Sequence, residues 1–298
     1  MNSTLLLNIP ARRAMGHLFC ASVLLFLGSC APSRPAVPEA AARHVVVIVI
    51  DTLRADHLPT YGYERDTAPF LADLATAGTV FTHAVTTSSF TAEAISSLFT
   101  GQYPSETPWG GGWYARPAPD GATLATRFQE AGYETALFSN SPVLDSAEFY
   151  RGFDTTYCFS EFGVSGQGPR LVERAVAWLG EHKDKPTFTY LHFLDPHSPF
   201  TPPAAYYDKF GTARPSQELG LYEDVRENVT ALRAEGFAPG DPRFDNLVQR
   251  YDGEIAFIDD TIRSFFAALK ELGIADDTLA VVTADHGEEF LDHGFVEH

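Results

Sequence analysis

Two apolar runs in the sequence end in residues that bind metal ions. The run Thr278 to Val282 passes through Thr283-Ala284 into Asp285-His286-Gly287-Glu288, and the run His44 to Ile50 ends at Asp51-Thr52. Short apolar, β-branched runs suit strands buried on both faces of a parallel sheet. Open α/β sheets gather their sites at the carboxyl edge of such strands. Asp51, Asp285 and His286, delivered there from distant parts of the chain, would form a cage for one divalent cation. Either aspartate alone would serve equally well as the cap of a following helix.

Thr91 offers a second kind of chemistry. It heads a stretch, Thr91 to Thr100, that reads as a helix of about three turns closed by Gly101 and Pro104. A hydroxyl at that position meets the positive end of the helix dipole and the unpaired N–H groups of the first turn. Beside a metal its pKa falls and it becomes a nucleophile. The local sequence also fits an ordinary threonine N-cap.

The elements that must position these groups alternate along the chain. Helical spacing is present in Pro69 to Ala77, Leu124 to Ala131 and Leu171 to His182, and in the longest pattern, Asn246 to Leu272. Further strands are expected at Thr135 to Phe138 and at Phe188 to Phe193, the latter running into Leu194-Asp195-Pro196-His197. Pro202 to Pro242 is the least regular part and suits either a substrate-facing rim or a plain surface loop. Four β runs separated by helices predict an α/β three-layer sandwich. Its mostly parallel, mixed central sheet would carry helices on both faces.

With 298 residues and 45% hydrophobic content, the chain can bury one large α/β core. Its net charge of −18 leaves no basic face, which excludes a nucleic-acid partner and raises the local concentration of divalent cations. Of the three cysteines only Cys158 lies in the body, where it reads as a small buried hydrophobe or idle thiol.

Residues 1–30 read as an export signal. Arg12, Arg13 and His17 precede an apolar run, Leu18 to Leu27, too short to span a membrane comfortably. Its end, Leu27-Gly28-Ser29-Cys30, resembles the bacterial lipoprotein box, which implies cleavage and a lipidated Cys30. An ordinary secretory signal with a coincidental cysteine is the alternative. On the first reading the chain is lipid-anchored in the bacterial cell envelope, facing the periplasm or exterior. Residues 31–43 form a Pro/Ala-rich tether, and 44–298 the catalytic domain.

Five further motifs occur in sequence. They are Ile50-Asp51-Thr52-Leu53-Arg54-Ala55-Asp56, Ser97-Leu98-Phe99-Thr100-Gly101-Gln102-Tyr103-Pro104, Tyr190-Leu191-His192-Phe193-Leu194-Asp195-Pro196-His197, Tyr251-Asp252-Gly253-Glu254-Ile255-Ala256 and Asp285-His286-Gly287-Glu288. Together they resemble the sulfatase family of the alkaline-phosphatase-like superfamily. The resemblance implies hydrolysis of a sulfate ester, or of a similar phosphate or phosphonate ester. It carries Asp51, Asp285 and His286 over as ligands of one divalent cation (Ca²⁺, Mn²⁺, Mg²⁺ or Zn²⁺), and histidine ligation leans toward Mn²⁺ or Zn²⁺.

Thr91 falls at the nucleophile position, ten residues before Gly101. His197 and His192 match histidines that contact the anion or protonate the leaving oxygen. His298 stands where relatives carry a Lys or His facing the anion, and His293 recurs after the metal pair. The implied partner is a small anionic ester, on a glycan or a lipid.

The departures matter too. Sulfatases of the main type make formylglycine within Cys/Ser-x-Pro-x-Arg, whereas this stretch is Thr91-Ala92-Glu93-Ala94-Ile95, so no aldehyde is expected. Threonine acts directly in the superfamily's phosphodiesterases and phosphoethanolamine transferases. The resemblance also implies that a smaller C-terminal part is missing beyond His298. Three functions are therefore expected: a sulfuric ester hydrolase, a phosphoester or phosphonate hydrolase or phosphoethanolamine transferase, and an inactive module that binds sulfated glycans. The insert Trp109 to Trp113 suits either stacking on a sugar or aryl group or a loop pinned by its tryptophans.

Overall fold

The computed structural model describes residues 42–106, 121–145, 149–159, 166–211 and 222–297. Cys20, Cys30, most of the tether expected over residues 31–43, the Trp109–Trp113 insert and His298 lie outside the described residues. All the described residues belong to one compact unit, Arg34–His298. Among them no helix is long and apolar enough to cross a membrane.

In chain order the elements are β1 (His44–Ile50), α1 (Pro69–Ala77), α2 (Thr91–Thr100), α3 (Leu124–Glu130), β2 (Glu134–Ser139), β3 (Thr155–Cys158) and α4 (Gly168–His182). Then follow β4 (Thr187–Phe193), α5 (Ala204–Tyr207), α6 (Tyr222–Ala234), α7 (Pro242–Glu271), β5 (Thr278–Ala284) and a small ribbon, β6 (Glu289–Phe290) with β7 (Val296–Glu297). Five strands form one sheet in the order β3-β2-β4-β1-β5. Every pairing in it is parallel, and the ribbon is antiparallel.

β1 explains the layering. All seven of its residues are buried, which only a central strand covered on both faces permits. Because side chains alternate across a strand, Val46, Ile48 and Ile50 point to one face. There they join Leu191 and Phe193 of β4 and the apolar stripes of α4 and α7. Val45, Val47 and Val49 point the other way, into a core with Phe188 and Tyr190 and with Ala92, Ile95 and Phe99 of α2. Each fully buried aliphatic side chain contributes about 1.5–3 kcal/mol of transfer free energy, so β1 is doubly anchored.

α7 is the backbone of the outer layer. Pro242 opens it behind the Asp241 cap, whose carboxylate accepts from Arg243 N at 2.8 Å. A Cβ at Gly253 would lie 2.9 Å from the Tyr206 carbonyl, so only glycine lets α5 sit against this helix. Asp259 of α7 also accepts from Phe70 N (2.9 Å) and Leu71 N (2.8 Å), satisfying orphan donors in the first turn of α1.

Two expectations change. The stretch from Pro202 to Pro242 carries α5 and α6 rather than one irregular loop, and Val229 of α6 is buried in the α7-side core. The sheet also gains β3, a four-residue strand at its edge.

Candidate metal centre and active site

The site begins with register. Ile50 of β1 stands opposite Phe193 of β4 and Ala284 of β5, so the three strands stop at one level. The residues that follow β1 and β5, Asp51 and Asp285, therefore emerge side by side at the carboxyl edge. Asp51, Asp285 and His286 are all buried, and their ligand atoms lie within 4.8 Å of one another. His286 Nε2 is 3.7 Å from Asp51 Oδ1 and 3.5 Å from Asp285 Oδ2. Thr91 Oγ1 completes the group, 3.2 Å from His286 Nε2.

The second oxygen of each carboxylate is already engaged. Asp51 Oδ2 lies 3.1 Å from His192 Nε2, and Asp285 Oδ1 accepts from Thr52 N (3.2 Å) and His286 N (2.8 Å). Among the described residues, Asp51 Oδ1 and Asp285 Oδ2 have no hydrogen-bond partner although both are buried. Two inward-facing, unsatisfied carboxylate oxygens are costly unless a cation lies between them. His286 Nδ1–H donates to the Gly287 carbonyl at 2.9 Å, which turns Nε2 toward the same point. The donor set of oxygens and one imidazole therefore fits a divalent ion.

The electrostatics of the site agree. Burial raises the Asp285 carboxyl above its ordinary range, and the charge of Asp51 raises it further, against the pull of His286 and His192. Burial also acts to raise Asp51, but the His192 hydrogen bond and the charges of His197, His192 and His286 outweigh it and hold that group low. A cation would relieve the repulsion between the two carboxylates.

The turn after β1 is strained. Thr52 has φ 55°, a region that a β-branched residue seldom occupies. Hydrogen bonds hold it there: Thr52 N donates to Asp285, while the Tyr251 hydroxyl donates to Thr52 O at 2.7 Å and accepts from Arg54 N at 2.9 Å. The Thr86 hydroxyl donates to the Asp285 carbonyl, fastening the segment leading to α2 onto the end of β5.

Thr91 is not the N-cap. Phe90 holds that place without a side-chain hydrogen bond, and Thr91 is the first helical residue, its hydroxyl turned toward His286. Ile95, at the position of the family arginine, is fully buried in the α2 core, and Glu93 accepts from Ser88 Oγ at 2.6 Å.

The histidines separate. His197 is half-buried beyond β4, near enough for its charge to act on Asp51, and its Nδ1–H donates to the Ser198 carbonyl at 2.8 Å. His192 is fully buried with both ring nitrogens engaged, on Asp51 and on the Tyr190 hydroxyl, so it stands behind the carboxylate rather than at an open face. His293 is on the surface, 84% exposed and 3.4 Å from Glu289. Asp56 is likewise exposed and paired with Arg54, and burial pushes the Cys158 thiol up to about 11, which keeps it unreactive. Thr52, Tyr190 and Tyr251 were missed from sequence; the alternation of Tyr190 and His192 on one face of β4 was the signal for one of them.

Comparison with known proteins gives the same outline. The multifunctional alkaline phosphatase superfamily protein PehA of Trinickia caryophylli is 30% identical over 41% of this chain and 27% of its own length. An arylsulfatase of Klebsiella aerogenes is 24% identical over 82% of this chain and 66% of its own. Among solved structures, the phosphonate monoester hydrolase of Agrobacterium radiobacter superposes with a TM-score of 0.67 and 23% identity, covering 85% of this chain and 64% of the other. The chain thus spans less than two thirds of these relatives. The family model described as Sulfatase matches residues 43–297, most of the chain. On that match, and with its strand-end carboxylates in place, this chain belongs to the sulfatase family.

Proposed function

We propose that the protein is a divalent-metal-dependent hydrolase of sulfate esters in which Thr91 is the nucleophile. One observation carries this reading: Thr91 Oγ1, His286 Nε2 and the two unpartnered oxygens of Asp51 and Asp285 converge on one buried point. The bound cation would supply positive charge that favours the ionised hydroxyl and offsets charge on the anion's oxygens. Thr91 Oγ1, its proton released to solvent water, then attacks the central atom in line with the leaving group. The first-turn N–H groups of α2 offer donors to its oxygens. His197 gives a proton to the leaving alcohol oxygen as its bond to sulfur breaks. Water must afterwards hydrolyse the ester formed on Thr91.

A second reading is phosphoryl or phosphonyl chemistry, and the threonine itself favours it. A formylglycine hydrate can release sulfate by elimination, but a threonine ester must be hydrolysed or passed to an acceptor. Phosphate and phosphonate esters suit that route, including transfer of phosphoethanolamine.

Turnover of an aryl sulfate and an aryl phosphate, each with and without Mn²⁺, separates the readings. Thr91→Ala should lower turnover at least about a thousandfold while Mn²⁺ still binds. Unchanged turnover would remove Thr91 from its role, and metal binding without any turnover would favour a sulfated-glycan-binding module. Attachment to the envelope through a lipidated Cys30 is part of the same proposal and rests on Leu27 to Cys30. Cys30→Ser should move the protein from the membrane to the soluble fraction; an unchanged distribution would rule the anchor out.

A further inference from the structure

His192 does not hold the position expected of a group that touches substrate. Its ring is wholly buried, with Nε2 3.1 Å from Asp51 Oδ2 and Nδ1 3.0 Å from the Tyr190 hydroxyl. Residues 190 and 192 share one face of β4, so the phenol and the imidazole are neighbours by the period of the strand. Tyr190 is also wholly buried, and burial together with the charges of Asp285 and Asp51 keeps its phenol protonated far above the ordinary range. That proton points to His192 Nδ1, which then accepts, and the ring's own proton sits on Nε2 facing Asp51.

We infer that Tyr190 and His192 form a positioning pair for the metal centre: Tyr190 fixes the tautomer of His192, and His192 donates to Asp51 Oδ2 so that only Oδ1 is directed at the cation. The inference rests on the metal-centre reading above and adds to it. Carboxylate ligands are usually fixed by outer hydrogen bonds, and losing such a partner weakens metal affinity about tenfold to a hundredfold. The arrangement also bears on specificity for the ion. A hydrogen bond on Oδ2 disfavours the bidentate mode that the larger Ca²⁺ often takes, which would favour Mn²⁺ or Zn²⁺.

The test is calorimetric titration of the full chain with Mn²⁺, Zn²⁺ and Ca²⁺, alongside His192→Leu, His192→Gln and Tyr190→Phe. His192→Leu should weaken Mn²⁺ binding about tenfold to a hundredfold. His192→Gln, whose amide N–H can stand where Nε2–H stood, should stay within about threefold. Tyr190→Phe, which only deletes a hydroxyl, should weaken binding about threefold to tenfold and keeps the test valid if the leucine variant does not fold. At saturating Mn²⁺ the KM of the two His192 variants for an aryl ester should match that of the unaltered chain.

Equal Mn²⁺ affinity in the unaltered chain, His192→Leu and Tyr190→Phe would overturn the inference while leaving the metal centre intact. A raised KM at saturating metal would overturn it too, by making His192 an anion contact. If the unaltered chain binds none of the three ions, the metal centre itself fails and takes the inference with it.

Discussion

β1 and β5 each deliver one carboxylate to the same point, yet the sheet holds them differently. β1 is central, with all seven residues buried and a neighbour on each side. β5 is at the edge, and among the described residues its Leu279 and Val281 are 54% and 44% exposed. The backbone that carries Asp51 is thus held by packing, and one buried hydrogen bond, from His192, turns its carboxylate. The Asp285 carboxylate is aimed by hydrogen bonds from Thr52 N and His286 N, and its backbone is tied by the Thr86 hydroxyl. One half of the site rests on the core and the other on a polar harness tied to the first half.

The largest effect should come from the packed half. Ile48→Ala, at a fully buried position, should cost about 3 kcal/mol in urea unfolding, whereas Val281→Ala should stay within about 0.5 kcal/mol. Equal losses would show that β5 is as deeply anchored as β1 and would end the contrast.

An intermediate effect is expected from the harness. Tyr251→Phe removes the hydroxyl shared by Thr52 O and Arg54 N and leaves a strained turn unsupported. The expected loss is about 1–2 kcal/mol of stability. Mn²⁺ affinity should fall with it, because the Thr52 N–H that holds Asp285 moves. Loss of stability without any change in affinity would mean that the turn does not aim the carboxylate.

The smallest effect concerns Arg54, which follows β1 and reaches Asp292, beyond β5, at 2.6 Å. The hydrogen bond from Arg54, more than burial, decides the direction here and holds the Asp292 carboxyl below its ordinary 3.8. A depressed carboxyl adds stability above its unfolded value and loses it as the pH falls through the folded one. Asp292→Asn should therefore cost about 0.5 kcal/mol near neutral pH, the pair being partly exposed, and almost nothing at about pH 2. A penalty that persists in acid would show that the contact is not electrostatic.

Much of this was legible because strand ends are legible. Apolar runs stopping at Asp51 and at Asp285-His286, with a helix starting at Thr91, mark in the sequence the groups that the fold brings together. Direction was harder to read. His192 lies in the right motif, but only the alternation of β4 and its contact with Tyr190 show that it faces the back of Asp51. β3 was missed because Thr155-Thr156-Tyr157-Cys158 is short and only partly buried, with no apolar run to mark it. α6 was missed because its sequence is largely polar, with few apolar residues to set a helical period.

At the opposite rim of the sheet from the candidate metal centre, His44 Nδ1 and Thr187 Oγ1 meet at 2.8 Å, buried where β1 and β4 begin. Strands scarcely stretch, so this contact works like the zero mark of a vernier, seven residues before the reading is taken. A slip of one residue between β1 and β4 would reverse the face of every β1 side chain and carry Asp51 about 3.3 Å along its axis. Damage at the far rim would then appear at the rim that carries Asp51 as an all-or-nothing loss of alignment rather than a gradual loosening.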